Sequence, residues 1–133
     1  MQYYLLYHQT KYFLKEKNVL KILNKHTMII PKRVSLGNYS VKDWYVKCDG
    51  KEKDLITTEA VLNELFPEYV ESYQRVLQQN EAFYCNMFIM KKTLLDKYCT
   101  WLFPILELVE SRTDLKNYIL LNVFLYHFLF SHF

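Results

Sequence analysis

The sequence predicts a single mixed α/β domain, and three observations lead there. Short apolar and aromatic runs at residues 3–7, 28–30 and 83–90 read as strands. Stretches with apolar residues at helical spacing lie between and after them. A chain of 133 residues has room for one moderate hydrophobic core and little room for a second. The apolar fraction of 51% is that of a folding chain, and two glycines and three prolines leave few places for sharp turns.

Taken in order, residues 3–7 (YYLLY) read as a buried strand at the start of the chain. Val19, Leu20, Ile22 and Leu23 have partial helical spacing, and Met28, Ile29 and Ile30 form a strand that Pro31 ends. Residues 32–53 hold Gly37, Asn38, Ser40, Asp49 and Gly50 among Tyr39, Trp44 and Tyr45, which predicts a long loop with turns. Loops of that length in compact domains are often functional. Thr57 and Thr58 are placed to cap a helix through Ala60, Val61, Leu62 and Leu65, with Glu59 in its first turn. Pro67 begins the next helix, whose buried face is Val70, Tyr73 and Leu77.

Residues 83–90 (FYCNMFIM) are nearly continuous in apolar character, which predicts a central strand buried on both faces. Thr93 and Asp96 form a pair like a capping box and open the longest helix, with Leu95, Tyr98, Leu102, Ile105 and Val109 along one side. Pro104 lies inside it, removes the hydrogen bond to the carbonyl of Thr100, and predicts a kink. Residues 118–130 are almost wholly apolar, broken by Asn122 and His127, but fall short of the roughly 20 residues a membrane span needs. A core element or an interfacial segment is expected there.

The function classes narrow by elimination. Seventeen basic residues against fourteen acidic ones, a formal charge of +3, lack the clustering of a nucleic-acid binder. Cys48, Cys85 and Cys99 form no C-x-x-C pair and are expected to be reduced, mostly buried and cytoplasmic. The first residues show no signal peptide. His8, His26, His127 and His132 have no ligand spacing, and there is no phosphate loop, nucleophile elbow or H-E-x-x-H.

Candidate site residues are few. His8, Lys11 and Tyr12 follow the first strand, where an open α/β sheet builds its ligand crevice. Asn86 interrupts an apolar strand, so its amide either ties neighbouring backbone or faces a ligand. Lys11, Lys15, Lys21 and Lys25 either meet the phosphates of a sugar nucleotide or of anionic lipid, or form a solvated face. The excess of tyrosine (12) and phenylalanine (9) suits both a sugar-binding cleft and ordinary packing.

In residues 83–112 the pattern N-M-F-I-M-K-K followed by L-x-D-x-Y-C-x-W-L-F-x-I-L resembles a family of bacterial polysaccharide-biosynthesis glycosyltransferases, long described only as a domain of unknown function. F-P-E-Y at Phe66, Pro67, Glu68 and Tyr69 resembles the family's preceding helix, and I-I-P-K at residues 29–32 its strand ending in I-L-P-K. At the place of the family's H-Y-R-R-Y-F motif stand His8, Gln9, Thr10, Lys11, Tyr12 and Phe13. Thr10 and Lys11 replace two arginines, which removes planar, bidentate donors and leaves a point charge.

The resemblance implies a partial glycosyltransferase-like (GT-A-like) domain over residues 1–133: α/β, a mixed sheet with flanking helices, helix-rich in its C-terminal half. It implies transfer of a sugar from a nucleotide-sugar to a capsule, exopolysaccharide or lipopolysaccharide glycan or a lipid-linked acceptor. Magnesium or manganese would accompany the donor, and the place would be the cytoplasm, at the inner face of the plasma membrane. His8 becomes the candidate base, with Lys11, Tyr12 and Asn86 as substrate-binding residues. Family members carry a substantial portion before the first motif and an arginine- and glutamate-bearing segment after residue 118. The chain is therefore expected to be a truncated enzyme, its ending ILLNVFLYHFLFSHF the product of a frameshift. The alternatives are a non-catalytic remnant or protein-interaction module, and a basic membrane-surface protein.

Overall fold

The long apolar stripe near the C-terminus becomes the longest helix of a computed structural model, which describes residues 15–48, 50–83 and 88–114. In chain order the elements are α1 (Glu16–Leu23), β1 (Met28–Ile29), β2 (Val34–Ser35), α2 (Val41–Lys47) and α3 (Glu52–Leu65). A 3-10 turn (Pro67–Tyr69), α4 (Val70–Leu77), β3 (Glu81–Ala82), β4 (Ile89–Met90) and α5 (Lys92–Arg112) complete them. The expected strand at 3–7 and the apolar segment at 118–130 lie outside the described residues.

The core forms where α5 lies along α3. Leu102, Ile105 and Val109 of α5 meet Leu55, Val61 and Leu62 of α3, and Tyr73 and Leu77 of α4 close over them. Val61 is fully buried, and Leu62, Tyr73 and Ile105 are 1% exposed. The helical spacing of these residues is thus the spacing of the core. Pro104 takes no part in this seam: it sits on the exposed side of α5, and the helix continues through it from Lys92 to Arg112. Arg112 and Glu64 pair at 2.8 Å across the solvent side, both partly exposed, which stabilises little.

Three expectations about helix starts need correction. Residues 32–53 are not a long loop, for α2 lies within them behind a capping box. The Asp43 amide donates to Ser40 Oγ at 3.0 Å, and the Asp43 carboxylate accepts from the Ser40 amide at 3.3 Å and hydroxyl at 2.7 Å. Thr57 and Thr58 do not cap α3, which starts at Glu52; their hydroxyls donate to the carbonyls of Lys53 (2.9 Å) and Asp54 (2.8 Å), satisfying both inside the helix. Nor does Thr93 cap α5, which follows Lys91; Asp96 instead pairs with Lys92 at 2.8 Å. The 3-10 turn at Pro67 leading into α4 agrees with expectation, as proline suits a first helical position.

The strands are short. Met28 pairs with Met90 and Ile29 with Ile89, while Val34 pairs with Ala82 and Ser35 with Glu81, all antiparallel. Residues 28–35 therefore form the first edge of both ladders, which differ in register. Pro31 lies in the gap on the first edge and has no amide proton to donate. Among the described residues the strands make two two-stranded ladders rather than one mixed sheet, and Phe88, Ile89 and Met90 are half-buried rather than central. Mixed α/β and helix-rich is what the chain is; the broad sheet is not assembled from these residues.

Two glycines shape the turns. Gly37 has φ +67°, the left-handed region that glycine occupies without cost, and lets β2 turn toward α2. Gly50 lies so close to Tyr45 that a Cβ there would overlap the tyrosine ring. This approach lets the Tyr45 hydroxyl donate to the buried Asp54 carboxylate at 3.1 Å, which also accepts from the Lys51 amide at 3.3 Å in the first turn of α3. Nearby, the Tyr73 hydroxyl donates to the carbonyl of Leu55 at 2.9 Å and joins α4 to α3.

Burial pushes the Tyr73 hydroxyl well above the usual tyrosine range, aided by the negative charge of Glu59 and opposed by a hydrogen bond with Thr58. Above pH ~10 the unfolded chain ionises this tyrosine while the folded chain does not, so stability present below that pH falls as pH rises. Tyr73→Phe is expected to cost about 1 kcal/mol at neutral pH and to flatten the alkaline fall. Leu62→Ala should cost about 3 kcal/mol, both read from urea midpoints across pH. At the other extreme, the Asp43 carboxyl is held below its usual range by the Ser40 hydroxyl and then the Ser40 amide. Its contribution is present above pH ~4 and lost as pH falls through the lower folded value. Asp43→Asn should therefore lower the urea midpoint at neutral pH, and the gap from the parent chain should close in acid.

Candidate functional site

None of the four residues singled out by sequence is placed by the structure. His8, Lys11, Tyr12 and Asn86 lie outside the described residues. Their flanks are described. Residue 86 precedes β4 in the chain, and β4 pairs with β1, the strand that leads into Pro31. Lys15, four residues beyond Lys11, is the exposed N-cap of α1, its carbonyl accepting from the Asn18 amide at 2.8 Å.

The feature that the structure adds is an aromatic cluster. Phe88, just before β4, meets Tyr98 edge-on at 5.6 Å between ring centres. Tyr98 lies 6.1 Å from Trp101, one helical turn along α5, and Trp101 lies 5.2 Å from Tyr69 and 6.3 Å from Phe66. Phe66 and Tyr69 also meet at right angles at 6.3 Å. Three places separate in sequence, Phe88, F-P-E-Y and Y-C-x-W-L-F, thus converge on one set of rings. The i, i+3 spacing of Phe66 with Tyr69 and of Tyr98 with Trp101 is the sequence signal for this, since such pairs share a helix face. Burial raises the Tyr98 hydroxyl above its usual pKa, with a smaller push from Cys99. Chemically the cluster offers flat apolar faces and phenolic hydroxyls. Tyr69 stays 40% exposed at its edge.

A second group sits on α2, in the stretch expected to be loop. The Lys47 ammonium lies 4.0 Å from the Tyr39 ring centre and 5.2 Å from that of Trp44, and the two rings are edge-on at 5.8 Å. This is a cation held over aromatic faces at the surface. The buried Asp54 is no candidate acid or base, for at 1% exposed it cannot reach a substrate. Cys48 is exposed, which corrects its expected burial, and Cys99 is half-buried. Among the described residues no cluster of three His, Cys, Asp or Glu side chains is placed to hold a metal ion. No helix among them is long and apolar enough to cross a membrane.

Trp101 touches Phe66, Tyr69 and Tyr98 and should be the keystone of the cluster. Trp101→Ala is expected to cost about 3 kcal/mol, and Tyr69→Ala, at the exposed edge, no more than about 1 kcal/mol. Urea midpoints with unchanged slopes are the check.

Comparison with known proteins places this geometry. No curated protein matches the chain. Among solved structures, the apo structure of the bifunctional glycosyltransferase WbbM is similar, with a TM-score of 0.69 and 26% identity over 78% of this chain. The chain spans 19% of that protein's length. A family model described as a domain of unknown function, DUF4422, matches residues 3–129. Through a match of that extent the chain belongs to the DUF4422 family.

Proposed function

We propose that residues 1–133 form a single, partial glycosyltransferase-like domain of GT-A-like architecture. It would transfer a sugar from a nucleotide-sugar to a capsule, exopolysaccharide or lipopolysaccharide glycan, or to its lipid-linked precursor, at the cytoplasmic face of the membrane. The observation that supports this reading is the likeness to a bifunctional glycosyltransferase over 78% of the chain. The motif resemblance at residues 83–112 supports the polysaccharide setting.

In such a transfer the acceptor hydroxyl oxygen bonds to the anomeric carbon as the bond from that carbon to the nucleotide diphosphate breaks. The hydroxyl proton needs a base, and the departing diphosphate needs positive charge. His8 is the residue proposed to take the proton and Lys11 the one proposed to meet the phosphates, with Tyr12 and Asn86 holding the donor. Magnesium or manganese is the ion such donors commonly bring. Among the described residues no group of three His, Cys, Asp or Glu side chains is placed to hold it. Lysine supplies a single mobile charge where two planar guanidinium groups would grip in two places, so a weak donor affinity is expected.

The test is a thermal-shift titration of the full chain with a panel of sugar nucleotides, with and without magnesium or manganese, since a ligand that binds only the native state raises its stability. A saturable rise in Tm with one donor is expected. Lys11→Ala should abolish it, and His8→Ala should leave it while removing transfer to an acceptor. A cooperatively folded sample that shifts with no donor overturns the reading and favours a non-catalytic remnant or protein-interaction module.

A further inference from the structure

We infer that α1 is a membrane-surface helix, seated on anionic phospholipid, that brings the proposed site to a lipid-borne acceptor. Its place in catalysis rests on the proposed function, but the binding does not.

None of the eight residues of α1 is buried. Even so, the helix has two distinct faces. Val19, Leu20, Ile22 and Leu23 fall within one arc, while Lys17, Lys21 and Lys25 repeat every four residues on the opposite side. Lys25 belongs to this row because the helical turn extends past Leu23, with the His26 amide donating to the Ile22 carbonyl at 2.9 Å. A helix docked in a protein core hides its apolar arc. Here Leu20 is 55% and Ile22 42% exposed, and the strand segment that follows leaves Met28 and Ile30 exposed as well. Polar and apolar faces of this kind, with lysine on the polar one, suit the boundary between headgroups and acyl chains.

Charge indicates which surface. Residues 15–33 contain Lys15, Lys17, Lys21, Lys25, Lys32 and Arg33, all exposed, against the single acid Glu16. Residues 34–133 contain ten basic and thirteen acidic side chains. The positive character of the chain is therefore concentrated at this end, and the rest is mildly acidic. Such a distribution draws the α1 end toward an anionic bilayer and turns the α3–α5 body away from it. The lysine stems are long enough to cover apolar surface while their ammonium groups reach phosphates.

The experiment is sedimentation of the full chain with vesicles of phosphatidylcholine alone, or of phosphatidylcholine with an equal amount of phosphatidylglycerol, at low and high salt. Binding to the anionic vesicles alone, lost at high salt, is expected. The variant Lys17→Gln/Lys21→Gln/Lys25→Gln should weaken it by roughly five-fold for each lysine removed, and Leu20→Ser/Ile22→Ser should also weaken it. Lys53→Gln/Lys91→Gln/Lys97→Gln, which removes as much charge from exposed positions elsewhere, should bind as the parent chain does. All substituted positions are exposed, and circular dichroism checks that each variant folds. The inference fails if anionic vesicles bind no protein, if neutral vesicles bind it equally, if the α1 variants bind unchanged, or if the control loses as much as the lysine variant. The donor titration in solution contains no lipid, so either idea can fail while the other stands.

Discussion

Because α1, β1 and β2 contribute almost nothing buried, the folded state depends on the seam between α3 and α5. This seam buries Leu55, Val61, Leu62, Leu102, Ile105 and Val109, and burying aliphatic side chains is the dominant favourable term in folding. Yet the polar atoms at its edge decide how it is arranged. Asp54 and Thr58 are buried in α3, and each polar group of this kind costs free energy unless it is bonded. Tyr45 donates to Asp54, Thr58 donates to a backbone carbonyl, and Tyr73 donates to the carbonyl of Leu55. These bonds hold α2 and α4 at fixed distances from α3. Gly50 belongs to the same arrangement, because only a residue without a Cβ lets the Tyr45 ring reach its place.

The aromatic cluster explains why the sequence motifs look as they do. F-P-E-Y and Y-C-x-W-L-F lie more than a full helix apart in the chain, yet Trp101 meets Phe66, Tyr69 and Tyr98 at tilted angles. Their most direct physical work is to fix where α5 begins relative to the turn after α3. Aromatic pairs at these distances add to the free energy of burial and prefer tilted or edge-on geometry, as found here. Phe66, Tyr69, Phe88, Tyr98 and Trp101 of these motifs therefore serve as scaffold.

The amphipathic elements were the legible part of the fold. The buried faces of α4 and α5 were readable because Tyr73 and Leu77, and Leu102, Ile105 and Val109, repeat at helical spacing. The start of α3 was not readable, since Thr57 and Thr58 resemble caps and only the structure shows their hydroxyls turned back to Lys53 and Asp54. The helix at Val41–Lys47 was hidden by glycine, asparagine and aromatic residues around it, although Ser40 and Asp43 spell a capping box. A continuous strand at 83–90 was expected from apolar character alone, and its residues 84–87 lie outside the described ones. The register changes between β1 and β2 across Pro31, which has no amide proton to offer a partner. Of the candidate site, His8, Lys11, Tyr12 and Asn86 were named from sequence and lie outside the described residues, while the ring cluster was signalled only by the i, i+3 spacing of its aromatic pairs.

The way the N-terminal elements are attached bears on how a site near them would behave. Among the described residues, α1 has no buried side chain, and β1 joins the body through its two-residue ladder with β4. Local opening free energy follows the number of buried contacts and protected hydrogen bonds, so this end of the chain should open far more readily than the α3–α5 seam. A helix that separates from the body at small cost can settle on a surface without unfolding the core. It can also draw β1 with it, and β1 is the partner of β4, which directly follows the stretch containing Asn86. Movement at a bound surface would then reach β4 through two backbone pairs, with the core unchanged.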